Sequence, residues 1–246
     1  MLELSGISKR FGGLRALHNV SMTIEAGSIS ALIGPNGAGK STTFAVASGF
    51  IRPDAGTVRF EDAEITDVAP HQICRMGLVR TFQLVQPFAG QTVLENITVG
   101  AYLHRKDRNT AISHAANVAQ RVGLGADLRQ RADRLPLARR KRLELARALA
   151  ADPRLLLLDE VMAGLNPAEI NELIPIIQAI REQGVSFLLI EHVMQAVVRL
   201  AEQVWVLADG EIVAKGAPAA IAADPRVVEA YLGHGAAAQL GGGATG

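Results

Sequence analysis

The octet GPNGAGKS, from Gly34 to Ser41, constrains this chain more than any other stretch. It has the spacing of a phosphate-binding loop, with glycine, four residues, glycine, lysine and serine in order. Both flanks have the required character, because the buried-strand pattern SISALIG precedes it and a helical pattern runs from about Gly39 to Ser48. Gly34, Pro35, Asn36, Gly37, Ala38 and Gly39 form a loop able to turn backbone N–H groups toward a polyphosphate, and the helix carrying Lys40, Ser41 and Thr42 aims its positive end at the same place. Lys40 is placed to pair with the β and γ phosphates, and Ser41 to offer its hydroxyl to Mg²⁺. Strand, loop and helix in this order open an α/β nucleotide-binding core.

The chain of 246 residues, 49% hydrophobic and 20% charged, is large enough to bury one sizeable core. Its 25 Lys and Arg against 24 Asp and Glu give no overall field that implies a nucleic acid or an anionic lipid as partner. Cys74 is the single cysteine, which excludes an internal disulfide framework. The start, MLELSGISKRFGG, lacks the apolar run of a secretory signal, and no apolar stretch reaches the ~20 residues that span a bilayer. The expectation is a protein soluble by itself, held at a membrane only by other chains.

Alternation in LELSGIS and LHNVSMTI reads as half-buried strands joined by turns at Gly12-Gly13 and Ala26-Gly27, an antiparallel layer ahead of the core. From about Gln91 to Ala132 the spacing is helical and poor in strands, and a helical insert is expected over about residues 91–150. RLLLLDE, GVSFLLIEH and QVWVLADG then read as buried parallel strands, the first two separated by the helical PAEINELIPIIQAIREQG. Residues 234–246 cannot bury enough to order themselves and are expected to form a flexible tail.

In LLLLDE, Asp159 and Glu160 end an apolar strand, where an open α/β sheet holds its ligand. The aspartate can hold magnesium and the glutamate can polarise an attacking water in phosphoryl transfer. Gln83 follows a short apolar strand and can reach both metal and water; His192 ends another strand and can contact the γ-phosphate.

Taken together, GPNGAGKST, RTFQ, TVLENITVG, LLLLDE, AGLNP, LLIEH, ADGEIVAKG and DPRVVEAYLG resemble, in order, the ATP-binding subunit of an ABC transporter, and within that family the subunits of branched-chain amino acid importers. The resemblance covers Leu2 to Gly233. It implies a P-loop NTPase of the RecA-like α/β class with an antiparallel β subdomain and an inserted helical subdomain. It also implies ATP and Mg²⁺ as ligands, Phe11 stacked on adenine where tyrosine is common, and two cassettes closing head to tail over two nucleotides. The partners implied are transmembrane permease subunits, docked around Gln83 to Phe88, a second cassette, and, indirectly, a periplasmic solute-binding protein. The location implied is peripheral, on the cytoplasmic face of the inner membrane.

One motif departs. The family signature Leu-Ser-Gly-Gly with Gln or Glu is replaced by Leu135, Pro136, Leu137, Ala138 and Arg139, so the serine hydroxyl is gone and Pro136 has no N–H. Val161 stands where proline is usual, and the cross-interface loop reads Asn166. The helix after the signature, RLELARALA, keeps an apolar face at Leu143, Ala146 and Ala150, and its charges are expected to form a solvated face; without aromatic or polar base readers it is no nucleic-acid surface. A soluble ABC-type ATPase without a permease is the alternative, but such proteins carry paired cassettes or long coiled-coil insertions. A P-loop small-molecule kinase would not require Gln83, Glu160 and His192 together.

Overall fold

The computed structural model describes residues 1–81, 87–222, 224 and 227. Strands β1 (Leu2–Phe11) and β2 (Leu14–Ile24) pair antiparallel across the glycine turn, with Leu2 opposite Ile24. Next come β3 (Ile29–Ile33), α1 (Lys40–Ala47), β4 (Ala55–Phe60), β5 (Ala63–Glu64), α2 (Pro70–Arg75) and β6 (Leu78–Arg80). Helices α3 (Val93–Ala101), α4 (Arg108–Arg121) and α5 (Leu137–Leu149) make the insert. The chain closes with β7 (Leu155–Asp159), α6 (Pro167–Glu182), β8 (Ser186–Ile190), α7 (Met194–Leu200), β9 (Gln203–Ala208), β10 (Glu211–Gly216) and α8 (Pro218–Ala222).

Two sheets result. The first, ordered β2-β1-β4-β5, is antiparallel; the second, ordered β10-β9-β3-β8-β7-β6, is parallel except for β10 at its edge. Every residue of β3, β7 and β8 is buried, as expected of strands covered on both faces.

Because side chains alternate along a strand, the parallel sheet feeds two separate cores. Leu156, Leu158, Phe187 and Leu189 point to one that also takes in Val93, Ile97, Ala115, Val118, Leu143 and Leu145 from α3, α4 and α5. Leu155, Leu157, Leu188 and Ile190 point to the other, shared with Phe44 of α1 and with Leu2, Leu4 and Ile24 of the antiparallel sheet. The helical insert therefore has no core of its own but covers one face of the sheet. Each fully buried leucine here contributes about 1.5–3 kcal/mol.

Local signals set the helix starts. Thr92 and Glu95 form a reciprocal cap at α3, and Asn166 and Glu169 do the same at α6, each worth about 1 kcal/mol. Asn166, expected in a cross-interface loop, thus spends its side chain on its own helix. The expected tail, residues 234–246, lies outside the described residues.

Candidate functional site

The phosphate loop joins β3 to α1 with no room for side chains at two of its glycines. Gly34 has φ 152°, and a Cβ there would lie 1.9 Å from the Leu207 carbonyl oxygen; Gly39 has φ 104°, and its Cβ would lie 2.6 Å from that of Ala16. Backbone from β9 and β2 closes directly on the loop. Helix α1 has no side-chain cap and no acidic residue in its first turn, and its first backbone bond runs from Thr43 N to the Gly39 oxygen. The N–H groups of Lys40, Ser41 and Thr42 are therefore left for a ligand, as an anion site requires.

The phosphate loop is only partly open to solvent. Asn36, Gly37 and Ser41 are exposed, but Lys40 is 6% exposed and its Nζ donates to the Gly34 and Pro35 oxygens at 2.7 and 2.9 Å. Burial lowers its pKa, opposed by the charges of Glu160 and Asp159.

Strand alternation also explains the carboxylates. Asp159 continues the face of Leu155 and Leu157 toward α1, and Arg80 continues that of Leu78 from β6, so the two meet there. Arg80 Nη2 lies 3.1 Å from Asp159 Oδ2, with the side chains 10% and 4% exposed. Burial raises the Asp159 pKa, and the hydrogen bond and charge of Arg80 pull it down. Glu160 departs from strand geometry with φ 51°, and its Oε1 lies 2.7 Å from His192 Nε2. The two strand ends thus bring two of the candidate residues into direct contact, which the sequence reading did not anticipate; Gln83 lies outside the described residues.

A cleft of about 460 Å³ runs from Lys40, Ser41 and Glu160 past Gly37 to Phe11 and Arg15. It offers phosphate donors at one end and an exposed aromatic ring at the other, with Lys9 Nζ 5.7 Å from that ring. A serine hydroxyl and one carboxylate are oxygen donors of the kind that hold Mg²⁺ alongside phosphate oxygens and water. Arg15 and Asp209, which also line the cleft, were not singled out in the sequence. Asp209 sits in a turn with φ 49°, held beside the loop by the bond from Gly210 N to the Ala38 oxygen.

The expected solvated face of the signature helix is overturned at Lys141. It is 5% exposed, and its Nζ donates to the Glu160 backbone oxygen at 2.8 Å. Spacing explains this, since Lys141 precedes Leu145, Ala148 and Leu149 by four, seven and eight residues and shares their buried stripe. Glu191, which continues the face of Phe187 and Leu189 on β8, is 1% exposed and accepts from Met162 N at 2.9 Å. Burial lowers the Lys141 pKa, opposed first by Glu191, and raises that of Glu191 to about 7.

The sign of the resulting pH dependence is fixed. Between pH 4.5 and about 7 the folded chain keeps a proton on Glu191 that the unfolded chain has released, so this group's contribution to stability falls as pH rises through that window. Urea unfolding at pH 5 and pH 7.5 is expected to show Glu191→Gln gaining stability relative to the parent at the higher pH. A constant difference would exclude this titration.

At the altered signature, α5 starts at Leu137 with Pro136 as its uncapped N-cap, and its first bond runs from Arg140 N to the Pro136 oxygen. The N–H groups of Leu137, Ala138 and Arg139 still face out of the helix end. What the sequence removes is the hydroxyl and one N–H. On the far side of the sheet end, Cys74, Val79, Arg80, Val99, Leu103 and Arg147 line a groove of about 320 Å³, and the Arg147 guanidinium lies 4.7 Å from the exposed Phe88 ring.

A family model described as ABC transporter matches residues 17–163, and one described as branched-chain amino acid ATP-binding cassette transporter matches residues 211–237. The chain is 38% identical over 250 residues to the high-affinity branched-chain amino acid transport ATP-binding protein BraF of Pseudomonas aeruginosa, covering 95% of this chain and 98% of the other. It is 37% identical over 250 residues, with the same coverage, to LivG of Escherichia coli K12, a protein described in the same terms. A solved nucleotide-free ATP-binding cassette from an ABC transporter superposes with a TM-score of 0.87 at 31% identity, covering 95% of this chain and 99% of that one, and so does the ADP conformation of such a cassette.

Proposed function

We propose, from the premise that this chain belongs to the ABC transporter family and is an ATPase, that it drives an importer of branched-chain amino acids or similar small polar solutes. The observation that carries the reading is the 2.7 Å contact of Glu160 with His192 beside an intact phosphate loop. Among the described residues no helix is long and apolar enough to cross a membrane, so the work of crossing falls to permease subunits. The chain sits against them on the cytoplasmic face of the inner membrane, and a periplasmic solute-binding protein delivers the solute.

In this reading residues 2–233 form the cassette and 234–246 a tail outside it. Phe11 stacks on adenine, and the loop from Gly34 to Gly39 with Lys40, Ser41 and Thr42 binds the phosphates. Ser41, Asp159 and Gln83 would hold Mg²⁺, which would neutralise phosphate charge when bound. The Glu160 carboxylate accepts a proton from the attacking water. His192 orients that carboxylate and contacts the γ-phosphate. A permease helix docks around Gln83 to Phe88, of which residues 83–86 lie outside the described residues; the exposed Phe88 beside Arg147, at the rim of a groove that Val79, Val99 and Leu103 help to line, supports this place.

The altered signature favours a heterodimer with a sister cassette over a homodimer. Losing one preorganised phosphate donor typically costs about 3 kcal/mol of transition-state stabilisation, and here a hydroxyl and an N–H are both absent. Only the site built on this chain's Lys40 and the sister's signature is then fully competent. In the assembled transporter, mutating the lysine of this chain's phosphate loop is expected to damage ATPase activity far more than mutating the sister's. Equal damage, or full activity of this chain alone, would exclude the asymmetry.

A further inference from the structure

Glu160 has a left-handed backbone, which a residue with a side chain keeps only where its surroundings impose it. Those surroundings can be named. Glu160 N donates to the Ile190 oxygen at 2.9 Å, and the Glu160 oxygen accepts from Lys141 Nζ at 2.8 Å and from Ala163 N at 3.1 Å. Two residues along the same turn, Met162 N is taken by the Glu191 carboxylate. The turn is thus gripped by one side chain from α5 and one from the end of β8, and neither reaches the cleft.

A lysine this deeply buried needs opposite charge around it. The carboxylates of Glu191, Glu160, Glu144 and Asp159 supply it, all of them raising the lysine's pKa against burial. Buried charged groups are often no more stabilising than apolar residues of the same volume, so stability alone does not account for a lysine and a glutamate buried on either side of this turn. Their geometry has another use. Lys141 lies one turn beyond the helix start at Leu137, and Glu191 directly precedes His192, so the pair links the signature helix to both members of the Glu160 and His192 contact.

We propose that Lys141 is a positioning residue for Glu160, with Glu191 gripping the same turn at Met162: it ties the glutamate turn to the first turns of α5 and thereby sets where the Glu160 carboxylate meets His192. The inference rests on Glu160 acting on the attacking water. It gives the signature helix a role within its own chain that survives the loss of the phosphate-contacting residues at its tip.

The test measures ATP turnover, KM and melting temperature on the full chain with its partner subunits. Lys141→Met is expected to lower kcat at least tenfold with KM changed less than twofold, and Lys141→Arg to recover part of the loss. Because Lys141→Met leaves Glu191 without the charge of Lys141 and risks unfolding, Lys141→Met with Glu191→Leu carries the same test in an apolar pair. That double variant is expected to melt near the parent temperature yet stay at least tenfold slow. Recovery of kcat together with melting temperature would show the pair to be structural only and overturn the proposal. Placed on Glu160→Gln, Lys141→Met is expected to slow turnover no further, and an additional tenfold loss there would also overturn it. If Glu160→Gln alone leaves turnover unchanged, the role of Glu160 itself fails, and the proposal with it; if Glu160→Gln is slow and Lys141→Met is not, only the proposal fails.

Discussion

Lys40→Ala is expected to abolish measurable ATP binding while leaving the chain folded. The amine that now serves the Gly34 and Pro35 oxygens lies at the bottom of the phosphate loop, and a hydrogen bond to a charged group is typically worth about 1.5–3 kcal/mol. Two such contacts to phosphate oxygens amount to a loss of about a hundredfold or more in affinity. The fold survives because removing Lys40 also removes a buried charge whose desolvation opposes folding. Both conformations at Gly34 and Gly39 are ones that glycine adopts without strain, and the backbone of Leu207 and Ala16 still packs against them without the amine. Titration calorimetry with ATP, beside a thermal melt of the same sample, checks both parts. Parent-like affinity in a folded variant would remove the loop from the nucleotide site.

Glu160→Gln is expected to bind ATP normally and hydrolyse it at least ~10²-fold more slowly, the usual loss when a general base is removed. The substitution is a clean one. Glutamine keeps the length and shape of the side chain, can still hydrogen-bond His192, and meets the same backbone cost at φ 51°. Steady-state ATPase of the assembled transporter and retention of labelled ATP by the variant check this. Unchanged turnover would take Glu160 out of the chemistry.

Most of this site was legible because its parts are local. A phosphate loop, a strand ending in Asp-Glu and a strand ending before His192 announce themselves by composition and order, and the period of two along β7 and β8 already separates the faces. What was not legible arises between distant elements. Arg80 and Asp159 meet because β6 and β7 are parallel neighbours, which spacing alone does not state. Lys141 falls with the other charges of α5 on the face expected to be solvated when Leu143, Ala146 and Ala150 define the apolar side, although its positions relative to Leu145 and Leu149 put it in the buried stripe. Glu191 stood unnoticed beside His192, since its burial depends on α5 lying across that face of the sheet. The altered signature was visible as a substitution, but only the helix start at Leu137 shows which backbone donors remain.

The ion pair of Arg80 with Asp159 also bears on how this site responds to its medium. Both side chains are almost wholly withdrawn from water, so mobile ions in bulk solution, which screen exposed charges over ~8–10 Å, have little purchase on them. Raising ionic strength therefore leaves this contact in place while loosening pairs on the surface such as Arg52 with Asp67. The Asp159 carboxylate is thereby insulated from the salinity of the surrounding solution.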